Sequence, residues 1–142
     1  MPSGEVHATL GAGVGALVLW RDVALHPPLA HLTGAGLVLG VGVLGALLPD
    51  VDLRQSMLGR YVPWVSWGLR LRHRVTRAGR REPVHRGLTH RLRWAPLVGL
   101  LAFVVAAHWL VPAVAVAVGL AAGLGFLSHL VADRPTWFWR EV

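Results

Sequence analysis

Four apolar segments dominate the chain, covering roughly residues 7–25, 29–48, 94–111 and 113–132. The second contains 20 consecutive residues without Asp, Glu, Lys or Arg. At a rise of ~1.5 Å per residue, a helix of that length measures ~30 Å, the thickness of the hydrocarbon layer of a bilayer. The pattern predicts an all-α fold, an integral membrane bundle of about four transmembrane helices.

A soluble helical bundle is the alternative, but each of its helices would carry one polar and one apolar face. Here the segments are apolar all round and rich in glycine, and 54% of the 142 residues are hydrophobic. The first segment is the weakest, because Arg21 and Asp22 interrupt it near Trp20. We expect one membrane-embedded domain over residues 1–142.

The one long polar region covers about residues 50–93. Its first part carries Tyr61, Trp64 and Trp67 near helical spacing, with arginines around them. Aromatic rings and arginine stems of this kind sit at the level of lipid headgroups. We expect this region to form a cytoplasmic loop with one or two interfacial helices.

Charge predicts the orientation. All 14 basic residues are arginine, the net charge is +7, and four crossings would put every arginine except Arg21 on the side of both termini. Basic loops remain in the cytoplasm. We expect a multi-pass protein of a bacterial-type inner membrane, with termini and polar loop inside. Anionic membrane lipids are favoured over nucleic acid as partners of the arginines.

Small residues recur at a spacing of four, which lets helices approach closely in lipid. The pairs are Gly11 with Gly15, Gly36 with Gly40, and Gly119 with Gly123. This spacing favours tight packing within one chain, and a homodimer through the same faces is the alternative.

Acids and imidazoles collect at one end of the predicted bundle, where they form a candidate metal site. The residues are His7, Asp50, Asp52, His85, His90, His129 and Asp133.

His129 and Asp133 are four residues apart, so on a helix they project from one face and can hold the same ion. Ser128 is a candidate hydrogen-bond partner beside them. Asp50 and Asp52 would share one side of an extended segment, although Asp52 could instead cap a following helix in a capping box with Gln55.

Two further imidazoles, His85 and His90, flank a flexible position at Gly87, which permits a turn that points both inward. Thr89 could instead cap the third span. Arg86 beside them suits a phosphate or a developing negative charge. We expect Arg86 and His85 to serve in catalysis.

Imidazole and carboxylate without thiolate favour zinc, with manganese or iron as alternatives, over calcium or magnesium. The chain has no cysteine. Seven candidate ligands exceed one tetrahedral set, so one or two ions are expected.

Three motifs in order resemble the YdjM-like family of inner-membrane metal-dependent hydrolases: LLPDVD at 47–52, HRGLTH at 85–90 and GFLSHLVAD at 125–133. An early histidine such as His7 is also usual in that family. The resemblance implies a hydrolase without naming its substrate. This chain departs from the family pattern at Leu53, where a histidine is frequent in the family. It also departs after Asp133, where family members continue with a Thr-Pro turn and a further segment. A shortened active-site wall or an inactive variant would follow from that.

Our leading hypothesis is a membrane-bound hydrolase of a phosphoester or lipid headgroup, in which a metal-activated water attacks phosphorus. The alternative is a non-catalytic scaffold whose arginine-rich cytoplasmic face binds a regulatory protein partner or nucleic acid.

Overall fold

The computed structural model describes residues 4–23, 32–52, 55–65, 67–68 and 91–133. Every regular element in these ranges is helical, which confirms the predicted all-α class. The long helices are α1 (Gly4–Val23), α2 (Leu32–Leu47), α3 (Trp94–Trp109) and α4 (Pro112–Asp133), and a 3-10 turn at Leu48–Asp52 continues α2.

The turn between α3 and α4 follows from one proline. The chain is extended at Leu110, and Pro112 is the first residue of α4. Proline is well suited to this position, because the first N–H groups of a helix have no acceptor inside the helix.

Two helical stretches are long and apolar enough to cross a membrane by length and composition: Gly34–Val51 and Pro112–Asp133. The apolar helix α3 is shorter, with 16 residues. Helix α1 has 20 residues but carries Glu5 in its first turn and Arg21 in its last. By this criterion two of the four predicted crossings are confirmed. The other two do not meet it, because α3 is short and α1 is charged at both ends.

Helix α4 is the centre of the bundle, packing against each of the other three long helices, while α1 also packs against α2. The apolar core includes Val18, Val38, Ala115 and Val118. These residues lie in the half of the bundle away from the C-terminal end of α4. The other end of the bundle buries His7 and His129 beside apolar residues such as Ala46 and Phe126.

Two of the three predicted glycine pairs lie at close helix contacts. A Cβ at Gly11 would lie 2.5 Å from the carbonyl oxygen of Gly42, and one at Gly119 would lie 2.9 Å from that of Gly99. A Cβ at Gly36 or Gly40 would meet nothing within 4 Å. The pair on α2 therefore takes no part in packing within the described chain.

Between the 3-10 turn and residue 69, the described residues form turns from Gln55 to Tyr61 and are helical at 63–65 and 67–68. The aromatic side chains of Tyr61, Trp64 and Trp67 are exposed. The rest of the region for which interfacial helices are predicted lies outside the described residues.

We expect Gly42→Ala to destabilise the bundle, because its Cβ would meet the Gly11 carbonyl oxygen at 2.5 Å. Overpacking of this kind costs about 1–3 kcal/mol. Gly40→Ala, on the same helix, is the matched control, and it should be neutral or slightly stabilising because alanine favours helix by about 1 kcal/mol. Thermal unfolding in detergent measures both. Equal Tm values for the two variants would contradict the packing described above.

Candidate metal centre

The buried histidine of α4 is held by a backbone carbonyl of α2. His129 is 0% exposed, and its Nδ1 lies 2.8 Å from the carbonyl oxygen of Ala46. A carbonyl oxygen can only accept, so Nδ1 carries the proton of this hydrogen bond. In the neutral ring, Nε2 then carries the lone pair and is the atom that would bind a metal. Histidine ligands of metals are commonly oriented in this way.

Small residues allow α2 and α4 to come close enough for this hydrogen bond. A Cβ at Gly125 would clash with the carbonyl oxygen of Gly42, and one at Gly45 would clash with that of Ala122. In both cases the obstacle is backbone, which cannot move aside as a flexible side chain does. The two helices therefore depend on glycine at these crossing points.

Two carboxylates face the Nε2 atom of His129. Asp133, one turn further along α4, places Oδ2 3.4 Å from it. Asp50, in the 3-10 turn after α2, places Oδ1 3.5 Å from it. Both side chains are about 15% exposed, at 14% for Asp50 and 15% for Asp133. The pocket is therefore nearly closed but retains contact with the outside.

The second imidazole comes from the start of α1. The rings of His7 and His129 are stacked, with centroids 3.8 Å apart and planes at 25°. Nε2 of His7 lies 3.5 Å from Oδ1 of Asp133. One ligand atom each from His7, His129 and Asp133 lies within 4.8 Å of the others. Two imidazoles and two carboxylates thus meet at one end of the bundle.

Charge decides what this cluster can hold. The carboxylate oxygens and the lone pairs of the rings repel each other unless a proton or a metal cation lies between them. A divalent cation balances two carboxylates and leaves both rings neutral.

The distances from His129 to the two carboxylates fit zinc. Zinc–nitrogen and zinc–oxygen bonds of about 2.0–2.2 Å at a tetrahedral angle place neighbouring ligand atoms about 3.3–3.5 Å apart. The distances from His129 Nε2 to the two carboxylates, 3.4 and 3.5 Å, match this value. The donor set, two nitrogens and two carboxylates, also fits manganese or iron.

The structure brings four of the seven predicted ligands together: His7, Asp50, His129 and Asp133. Asp52 ends a 3-10 turn, so the expectation of an extended segment at Asp50 and Asp52 is wrong. Proline at position 49 and the following residues tighten the chain instead of extending it. The predicted residues His85, Arg86 and His90 lie outside the described residues, as does the side chain of Asp52.

Ser128, the candidate hydrogen-bond partner beside the cluster, makes a hydrogen bond within its own helix. Its hydroxyl donates to the carbonyl oxygen of Gly125, one turn earlier in α4, at 2.7 Å. The partner that orients His129 is the Ala46 carbonyl, which sequence reasoning missed. The spacing of four between Gly42 and Ala46, and between Ala121 and Gly125, was a usable signal once alanine is counted as small.

Comparison with known proteins agrees with the motifs. Residues 1–138 match the family described as YdjM inner membrane protein. This chain belongs to the YdjM family. The resemblance drawn from the three motifs is confirmed, and the chain is a membrane protein of a family from the bacterial inner membrane.

The inner membrane protein YdjM of Escherichia coli (strain K12) is 36% identical over 124 residues, and that of Shigella flexneri is equally similar. The alignment covers 87% of this chain and 56% of each relative. The chain therefore spans a little over half the length of the curated YdjM proteins that it matches. No solved structure matches it.

We expect zinc to raise the Tm of the metal-stripped YdjM-family chain in detergent. Ligand at 100 times its Kd stabilises a folded protein by about 2.7 kcal/mol. His129→Ala should abolish the shift, whereas His108→Ala should keep it, because His108 is exposed and contacts Trp109 instead. An equal shift in all three proteins would show that zinc binds elsewhere.

Proposed function

We propose that this protein is a multi-pass inner-membrane hydrolase that uses one or two divalent metal ions, with zinc fitting best, to cleave a phosphoester. The observation that carries the proposal is the position of His129. Its Nδ1–H is committed to a carbonyl oxygen, and its Nε2 faces two carboxylates at 3.4 and 3.5 Å. A histidine that served only to fill the core would not need to face two carboxylates.

Four crossings with the metal centre on the cytoplasmic side complete the proposed topology. The distribution of charge supports this topology, since arginines are concentrated in the polar region and basic loops stay in the cytoplasm. Exposed tryptophans at the far ends of α1 and α3, Trp20 and Trp109, suit the opposite headgroup layer.

The described residues have distinct roles in the proposed reaction. His7, Asp50, His129 and Asp133 hold the ion, and the Ala46 carbonyl fixes the orientation of His129. A bound divalent ion supplies a Lewis acid and lowers the pKa of water to provide a nucleophile near neutral pH. The partial exposure of Asp50 and Asp133 gives substrate and water a way in.

A phosphoester, including the headgroup of a lipid, is the proposed substrate class. The support is electrostatic, because arginines precede α3 at the same end of the bundle. The planar guanidinium group of arginine binds phosphate through two parallel hydrogen bonds. Arg86 is proposed to stabilise negative charge on the substrate, and His85 and His90 to complete the ion's surroundings or transfer protons.

Removing one carboxylate should remove the metal and the activity together. Asp50→Asn, purified in detergent, should lose metal affinity by at least about 100-fold, more than the loss of a ligand's hydrogen-bond partner costs. Metal content is measured by mass spectrometry, and hydrolysis with bis-p-nitrophenyl phosphate and phosphatidylglycerol.

The matched control is Glu5→Gln, the same chemical change at an exposed acid near the start of α1. It should keep both metal and activity. Wild-type protein without metal would refute the proposal. Metal that is retained without any hydrolysis would leave only a structural site and refute the enzymatic part.

The absence of cysteine makes the topology testable with single cysteines. In intact spheroplasts, a membrane-impermeant maleimide should label Trp109→Cys at once, but Arg91→Cys only after permeabilisation. Both positions are exposed and lie at opposite ends of α3. The reverse pattern, or labelling of both from outside, contradicts the proposed orientation.

A further inference from the structure

An apolar groove follows the seam between α3 and α4, apart from the metal centre. Its volume is about 920 Å³, within the range of small-molecule sites. Its walls include Pro96, Leu100 and Phe103 from α3 and Val116, Leu120 and Leu124 from α4.

Glycines make the groove by bringing the two helices together at its base. A Cβ at Gly99 would lie 2.9 Å from the carbonyl oxygen of Gly119, and one at Gly123 would lie 3.1 Å from that of Ala95. The backbones therefore touch along the seam while larger side chains stand on either side. The result is a furrow lined by aliphatic side chains.

One end of the groove carries a positive charge. Arg93 is the only charged residue among the described residues that line it. Its guanidinium lies 5.7 Å from the centre of the Trp94 ring, and it makes no capping hydrogen bond to α3. Arginine and tryptophan at a helix end are typical of the headgroup layer.

The length of the groove matches one leaflet of the bilayer. From Leu92 to Phe103 along α3, eleven steps of 1.5 Å give about 17 Å. Half of the hydrocarbon thickness is about 15 Å. One acyl chain occupies one leaflet, so the groove has the length that such a chain needs.

We propose that this groove binds one acyl chain of an anionic phospholipid, with the lipid phosphate against Arg93. The charge of the guanidinium is complementary to the phosphate, and the aliphatic walls suit the chain. Arginine forms charge-assisted hydrogen bonds with phosphate oxygens that a neutral side chain does not replace.

The groove and the metal centre open at the same end of the bundle. Leu127 lines the groove and His129 follows two residues later, on another face of α4. A lipid in the groove would therefore present its headgroup at the depth of the metal centre. That such a lipid is the substrate rests on the proposed function, whereas its binding does not.

Native mass spectrometry of the full chain in detergent tests the binding, with phosphatidylglycerol and zwitterionic phosphatidylcholine as probes. Wild-type protein should retain one phosphatidylglycerol about tenfold more tightly than phosphatidylcholine. Leu124→Trp fills the groove and should weaken both lipids about tenfold. Arg93→Gln should lower the affinity for phosphatidylglycerol to that for phosphatidylcholine.

Each variant has a matched control. Leu37 and Leu124 are both 40% exposed, and Leu37 on α2 lies outside the groove, so Leu37→Trp should leave lipid binding unchanged. Arg91→Gln removes an exposed arginine that does not line the groove and should also have no effect. Should Leu124→Trp fail to fold, Val116→Trp blocks the deeper part of the same groove.

Equal retention of the two lipids by the wild type overturns the proposal, as does equal weakening by Leu37→Trp and Leu124→Trp. A dimer that Leu124→Trp abolishes would assign the groove to a second copy instead. The proposed function is tested separately by metal content. His129→Ala should lose zinc and keep phosphatidylglycerol, and Leu124→Trp should do the opposite.

Discussion

The contact between α2 and α4 is the constraint on which the rest of the structure depends. Glycine at 42, 45 and 125 removes the side chains that would otherwise hold the two backbones apart. Only at that separation can the Ala46 carbonyl accept a hydrogen bond from the His129 ring. In lipid, where the hydrophobic effect does not drive helices together, this close packing is also what stabilises the pair.

The same contact links stability to chemistry. A histidine without a fixed partner could rotate, and its two nitrogens would exchange roles. The 2.8 Å hydrogen bond to Ala46 selects Nε2 as the atom that faces Asp50 and Asp133. The stacking of His7 on His129 then brings α1 into the cluster. Close helix packing at the glycines thus brings side chains from α1, from the 3-10 turn after α2 and from α4 together at one end of the bundle.

Two faces of α4 carry the two features described above, the histidine cluster and the apolar groove. One face carries His129 and Asp133 towards α1 and α2, while another carries Leu120 and Leu124 along the seam with α3. The two faces meet water and headgroups at the same end of the helix. A lipid bound along one face would have its polar part beside the histidine cluster on the other, and this is the physical basis of the proposed lipid substrate.

The sequence by itself determined the helical class, the family and four residues of the cluster. Long apolar stretches can satisfy their backbone groups in lipid only as helices, and a spacing of four puts His129 and Asp133 on one face whatever else packs nearby. Tertiary structure decided the rest. The way the helices cross decides that α2 contacts α4 through Gly42 and Gly125 and that Ala46 orients His129. It also decides that a Cβ at Gly36 or Gly40 would meet no other described residue within 4 Å. The chain's local pattern does not fix such crossings, since several glycine faces could each have served as the contact.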